Sequence, residues 1–249
     1  MSLTLAAATS NAATINFDSR KHGQVITDDY LLSKGVVFSA VNFQGGPDLA
    51  VAFDSGRSQT DDHDLEDPWN VGNIPSSTRL WKILIVAEND IDLNRDGLLD
   101  HPDDQGSTPA LGLAGQLELD FAAPHRTFGL DLVDVEPGDE IGFIAFHLRG
   151  VEIARVGFDE FITPASPFYD PTIVFGDNSA NRIQPITAEQ LNIVAFDKVV
   201  VGTGMCLAID NLNFQLYDGA LPSVPEPSAL AAIGLAFTTW ARRRRRDER

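Results

Sequence analysis

Short runs in which apolar residues alternate with polar ones constrain this chain more than any other feature. Alternation places every second side chain on one face of an extended strand, so one face can enter a core while the other meets water. Gln116-Leu-Glu-Leu-Asp-Phe121 alternates strictly and puts Leu117, Leu119 and Phe121 on one face. Alternating or short apolar runs also cover residues 14–17, 35–43, 49–53, 80–87, 127–133, 140–148, 151–158, 172–175, 193–201 and 205–216. Glycine, proline, asparagine and aspartate separate them. Glu136-Pro-Gly-Asp139 precedes one run, and Arg149-Gly150 divides another into a hairpin. One helix signal interrupts the pattern: Thr187-Ala-Glu-Gln190 reads as a capping box. Many strands and few helices predict an all-β chain, an antiparallel β-sandwich or jelly roll over residues 14–218 with long acidic loops. The loops are residues 54–77 and 90–114, and loops of that length in a compact domain are commonly functional or disordered.

The formal charge is −18 over 249 residues, and residues 1–221 carry −21 because the last 28 hold six arginines. Such a body repels nucleic acid, whose phosphates need Lys and Arg, so no nucleic-acid partner is expected. It suits a solvated exterior, divalent cations or a neutral or cationic glycan, and plain solubility explains it equally well. Cys206 is the one cysteine, which rules out an internal disulfide. Between Met205 and Leu207 it reads as a strand-core thiol rather than a nucleophile.

One segment has metal-ligand spacing. In Asp92-Leu-Asn-Arg-Asp-Gly-Leu-Leu-Asp-His-Pro-Asp103, positions 1, 3, 5, 9 and 12 carry Asp92, Asn94, Asp96, Asp100 and Asp103. Gly97 allows a sharp turn at position 6, and Leu98 offers its carbonyl at position 7. Calcium is the expected ion. Aspartate at position 12, in place of a bidentate glutamate, gives a shorter arm of the kind found in extracellular loops. The flanks read as strand and coil, so this is a calcium loop in a β-domain and not an EF-hand; a solvated acidic insertion is the alternative. A weaker second site pairs Asp18, after the first strand, with Asp210 in the last. Asp61-Asp-His-Asp64 is a third acidic cluster, read as a solvated loop.

No catalytic motif stands out. The five histidines are scattered without zinc spacing, and neither a Gly-x-Ser-x-Gly elbow nor a phosphate loop occurs. With 36 Asp and Glu, no carboxylate pair is diagnostic of a glycosidase. A non-enzymatic role is therefore expected. The function classes are a structural or adhesive surface protein, a carbohydrate-binding module, and, as the least supported, a glycoside-active hydrolase. Trp69 beside Pro68 is the candidate glycan platform, with a packed loop anchor as its alternative.

The ends are distinct from the body. Residues 1–13 are small and apolar and look like the remnant of a secretory signal peptide. Residues 219–228 form a proline-rich linker containing Val224, Pro225, Glu226 and Pro227. An apolar run, residues 229–241, follows and reads as a short hydrophobic membrane helix. It stops at Arg242, Arg243, Arg244, Arg245 and Arg246. This tail resembles a PEP-CTERM sorting signal. The resemblance implies an exported protein that is held briefly in the inner membrane, processed by an exosortase-type enzyme and released to the cell surface or extracellular matrix. The positive-inside rule leaves the arginines cytoplasmic and the body outside. The body is also similar to exported PEP-CTERM β-sandwich proteins. Ile15-Asn-Phe-Asp18 with Gly35-Val-Val-Phe38, Asp64-Leu-Glu-Asp-Pro68, Lys82-Ile-Leu-Ile-Val-Ala-Glu88, Pro102-Asp-Asp104 and Ala208-Ile-Asp-Asn-Leu212 carry that likeness. It implies a galactose-binding-like jelly roll and, by analogy, contact with exopolysaccharide.

Overall fold

The computed structural model describes residues 12–108, 110–136 and 141–221. Its strands are β1 (Ala13–Ile15), β2 (Gln24–Val25), β3 (Val36–Asn42), β4 (Ala50–Asp54), β5 (Lys82–Val86), β6 (Gly115–Val133), β7 (Phe143–Leu148), β8 (Val151–Gly157), β9 (Ala180–Thr187), β10 (Phe196–Thr203) and β11 (Ala208–Leu216). Two helices of four residues, α1 (Leu31–Lys34) and α2 (Asp159–Ile162), are the only helices among the described residues. Every pairing between these strands is antiparallel.

The long strand β6 organises the fold by changing partners along its length. Its first part lies between β3 and β10, with Leu119 opposite Phe38 and Val199. Its second part lies between β11 and β9, with Leu132 opposite Ile209 and Asn181. Pro124 stands between the two parts, where a residue without an N–H cannot continue a two-sided ladder. The result is two strand sets, β3–β6–β10–β7–β8 and β9–β6–β11–β5–β4–β2, with β1 also paired to β11. One core takes side chains from both. Leu119, Phe121, Phe146 and Val199 come from the first set, and Phe128, Leu130, Ile209, Leu212 and Phe214 from the second. That shared core makes the fold sandwich-like. Burying each such side chain is worth about 1.5–3 kcal/mol.

The alternating runs fold as read. β3 alternates inward and outward along its length, and Leu117, Leu119 and Phe121 are buried. Arg149 and Gly150 both take positive φ, 54° and 78°, which is the hairpin turn that matches strand twist between β7 and β8.

Strands β4 and β5 are buried on both faces. Their second face, with Val51, Phe53, Ile83 and Ile85, packs into a separate apolar cluster. Leu65, Trp69, Ile74, Leu80 and Leu99 from the connecting segments cover it. The polar stretch between β4 and β5 is thus a strap laid over the outside of the second strand set. A near-continuous apolar strand such as Ile83-Leu-Ile-Val86 requires a cover of this kind.

Several expectations need correction. The capping box at Thr187 forms, since Thr187 N donates to Gln190 Oε1 at 2.8 Å and Gln190 N donates to Thr187 Oγ1 at 3.1 Å. It closes a single turn and no helix, because Asn192 enters the left-handed region at φ 54° and Ile193 leads into β10. Residues 172–175 form no strand. Cys206 precedes β11 and is half-buried rather than enclosed in a strand core. Strand β9 was not expected from its polar sequence, which includes Pro185. Residues 1–11 of the expected signal remnant, the Pro137–Asp139 part of the expected turn, the sorting motif, the apolar run and its arginine stop lie outside the described residues, while Ala13, the last residue of that remnant, begins β1. No described helix is long and apolar enough to cross a membrane.

Candidate cation-binding loops

The Asp92–Asp100 segment closes on itself as a turn through side chain-to-backbone hydrogen bonds, and its three carboxylates are not among the groups whose oxygens converge within 4.8 Å. Asp92 accepts from Asp96 N at 3.2 Å and Gly97 N at 3.0 Å. Asn94 Oδ1 accepts from Asp96 N at 2.8 Å, and Asp96 Oδ1 from Leu98 N at 2.9 Å. Asp100 takes Leu93 N at 2.7 Å and Asn94 Nδ2 at 2.9 Å. The loop therefore folds its side-chain oxygens back over its own amides. Gly97 supplies the turn at φ 83°. All of these contacts are exposed to solvent.

Asp103, the expected closing ligand, is elsewhere. It joins Asp62 and Asp104 in a trio whose ligand oxygens all lie within 4.8 Å of one another. Two backbone bonds, Glu88 N to Asp103 O at 3.0 Å and Gln105 N to Val86 O at 2.8 Å, pin this segment along the end of β5. Asp62 enters from the strap, three residues before the buried Leu65. Asp104 is only 7% exposed, and its Oδ2 is buried without a hydrogen-bond partner, as is Asp62 Oδ2. Burial pushes the Asp104 carboxyl well above the usual carboxylate range, and the charges of Asp62, Asp134 and Asp103 push it further. Asp103 is raised to about 7 by burial and then by the charges of Asp62, Glu88 and Asp61. Burial also raises Asp62, while hydrogen bonding to Asp104 works against that rise. The Asp62 and Asp104 carboxyls are thus close enough to share a proton.

A second group lies at the end of β6: Asp134, Glu136 and Asp177 place their oxygens within 4.8 Å. Asp134 is buried, and burial raises its carboxyl to about 8 against the pull of the Asn178 amide, which donates to it at 2.7 Å. Asn178 in turn donates through Nδ2 to the carbonyls of Asp64 at 2.9 Å and Glu66 at 2.8 Å, tying the strap to this corner. Among the described residues no Lys or Arg forms an ion pair with Asp62, Asp103, Asp104 or Asp134.

The remaining candidates fall out as follows. Pairing of β1 with β11 brings the first and last strands together, and the charge of Asp18 is one of those that raise Asp210. Burial is the larger cause of that rise; Asp210 is 1% exposed, and its Oδ1 has no hydrogen-bond partner. Asp131 beside it is held by Arg182 through two bonds of 2.8 Å. His63 contacts Glu66 at 3.2 Å, and His101 contacts Asp61 at 2.8 Å. Trp69 is not a platform: it is 3% exposed and donates Nε1–H to Thr78 O at 2.9 Å, anchoring the strap. Trp81 is the more exposed indole, and the Arg79 guanidinium covers it at 5.1 Å.

Sequence spacing located the Asp92 turn because its hydrogen bonds are local. It missed the trio because Asp62 and Asp104 lie on segments that only the outer packing brings together. Pro102-Asp-Asp104 was visible as a motif, without any indication of its partner.

No curated protein matches the chain. Residues 223–246 match the PEP-CTERM protein-sorting motif, the recognition signal of exosortases, which marks an exported protein processed at the membrane.

Proposed function

We propose that this chain is a non-catalytic, calcium-stabilised protein of the cell surface or exopolysaccharide matrix, delivered there by its sorting tail. The observation that carries the calcium reading is the Asp92–Asp100 loop. Asp92, Asn94, Asp96 and Asp100 turn their oxygens inward over the loop's own amides. Calcium takes 6–8 oxygens at 2.3–2.6 Å, and the Leu98 carbonyl and water complete such a set. Exposure and the lack of a twelfth-position ligand suit the weak affinities of extracellular modules. The galactose-binding-like reading of the body belongs here as well, supported by its antiparallel sandwich-like sheet.

Calorimetric titration of calcium into the chain, beside Asp92→Ala and Asp96→Ala variants, tests this reading. Heat from one calcium equivalent that disappears in both variants is the expected result. Absence of heat together with an unchanged melting temperature would end it.

A carbohydrate-binding role has one observation in its favour. The outward faces of β6, β10, β7 and β8 form a shallow groove lined by Glu118, Phe143, Glu152, Arg155 and Lys198. Arg155 lies over the largely buried Phe143 ring at 3.5 Å, so the groove offers chiefly charged groups to a sugar's hydroxyls. A glycan array probed with and without calcium separates the two readings.

A further inference from the structure

We propose that Asp62, Asp103 and Asp104 form a second calcium site, distinct from the exposed loop, that fastens the strap between β4 and β5 to the sheet beneath it. The argument starts from Asp104. Its Oδ2 is enclosed, has no hydrogen-bond partner and shares a space less than 4.8 Å across with oxygens of Asp62 and Asp103. A buried carboxylate without a partner is costly, and neighbouring carboxylates make it costlier. The three can be held together by protons or by a cation.

Three features favour the cation. The cluster brings oxygens of three carboxylates, and their charge, within 4.8 Å of one another. One shared proton leaves most of that charge uncompensated, whereas a divalent ion answers it. The donors are all oxygens, with no histidine or cysteine in the group, which selects a hard cation. The three converging oxygens come from two chain segments, one from each residue. Calcium accepts variable oxygen sets, whereas magnesium demands near-octahedral geometry and keeps its waters.

The position gives the ion a task. Asp103 and Asp104 are fixed to the sheet by the Ala87–Asp104 bridge and the backbone bonds of residues 86–88. Asp62 belongs to the strap that carries Leu65, Trp69 and Ile74 onto the outer cluster. An ion between them is a cross-link from strap to sheet. Bound calcium should therefore protect the strap from cleavage, and Arg57 and Arg79, both more than half exposed at their side chains, flank its length as trypsin sites.

The test uses the full chain in detergent, stripped with chelator and then titrated with calcium or magnesium. Calcium stoichiometry is read by calorimetry, and strap cleavage at Arg57 and Arg79 by mass spectrometry. Asp104→Asn should lose one calcium equivalent and all calcium-dependent protection. The double variant Asp92→Ala with Asp96→Ala should lose a different equivalent and keep the protection. If Asp104→Asn does not fold, Asp62→Asn, at the strap's own ligand, carries the same expectation. Full stoichiometry and full protection in a folded trio variant would overturn the proposal, as would a wild-type chain whose strap is equally cleaved with and without calcium. Equal protection by magnesium at the same concentration would overturn the assignment to calcium.

Discussion

The Asp92–Asp100 turn and the Asp62–Asp103–Asp104 trio are both acidic, yet they manage charge in opposite ways. The turn is exposed and spends its carboxylates on its own amides, with each of its acidic side chains accepting at least one such bond. The trio is enclosed, drawn from two distant segments, and leaves oxygens of Asp62 and Asp104 without donors. The first is a local motif whose side-chain hydrogen bonds all lie within residues 92–100. The second exists only because the strap is packed over β4 and β5. The difference teaches that acidity in this chain has two structural meanings. One kind of carboxylate shapes a loop, and the other is held in place by the apolar burial around it at an electrostatic cost.

The strongest way to break that comparison is to loosen the strap. Trp69→Ala removes a buried indole and its bond to Thr78, and such truncations cost about 3–5 kcal/mol. Chemical denaturation should show a loss of that size, with faster cleavage at Arg57. Leu93→Ala, on the exposed turn where Leu93 is 76% exposed, should stay within about 0.5 kcal/mol of wild type. Similar losses in both variants would mean that the strap is not a packed layer.

The two variants also show what the sequence made legible. The inward face of β6 was readable because Leu117, Leu119 and Phe121 recur at period two. The strap was not, because Leu65, Trp69 and Ile74 follow no period and stand among polar residues. Their burial comes from the two-sided apolar character of β4 and β5, a demand set far along the chain. Likewise the capping box at Thr187 made its local hydrogen bonds and still gave no helix, since the chain had to return to the sheet as β10. The Asp92 turn was legible for the reason the trio was not: spacing along the chain reports local contacts only.

A smaller effect separates buried imidazole from buried acid. His125 sits among Phe121, Phe196 and Phe214 with Nδ1 unpartnered, and burial lowers it to about 4 from 6.5. The unfolded chain binds this proton first, so stability should fall as pH drops from 6.5 towards 4. The slope is at most about 1.4 kcal/mol per pH unit, or about 2 kcal/mol lost by pH 5. His22, also lowered to about 4 by burial and then by Arg57, adds in the same direction. His125→Leu should flatten part of that acid limb in calorimetric melts, and an unchanged limb would remove His125 from the account.

Buried acid carries the opposite sign. Asp134 is raised to about 8 in the folded chain against 3.8 as its ordinary value, so the folded state binds its proton more tightly. Stability should therefore decline as pH rises towards 8, by up to about 1.4 kcal/mol per unit from this group. Between about pH 7.5 and 8, a unit or more above the ordinary histidine value of 6.5, the two histidines are largely neutral in both states, which isolates the effect. Asp134→Asn keeps an acceptor for the Asn178 amide and tolerates the φ of 59° at this position. In chelator, its melting temperature should change less with pH across that window than that of wild type. Asp103, at about 7, retains part of the slope.

The smallest expected effect belongs to the exposed turn without calcium. Asp92→Ala removes the acceptor for the amides of Asp96 and Gly97, and water reaches both, so the exchange of partners is nearly even. In chelator the variant should melt within about 0.5 kcal/mol of wild type. With calcium added, stabilisation by a bound ion follows RT ln(1 + [Ca]/Kd), about 2.7 kcal/mol at a hundredfold excess over Kd. Asp92→Ala should forfeit the part of the calcium-induced rise that comes from the turn. The gap between the variant and wild type should thus open with calcium and close with chelator. A loss of more than about 1.5 kcal/mol in chelator would show the turn bearing on the core by itself, and the contrast between a self-contained loop and a carboxylate trio held by packing would no longer hold.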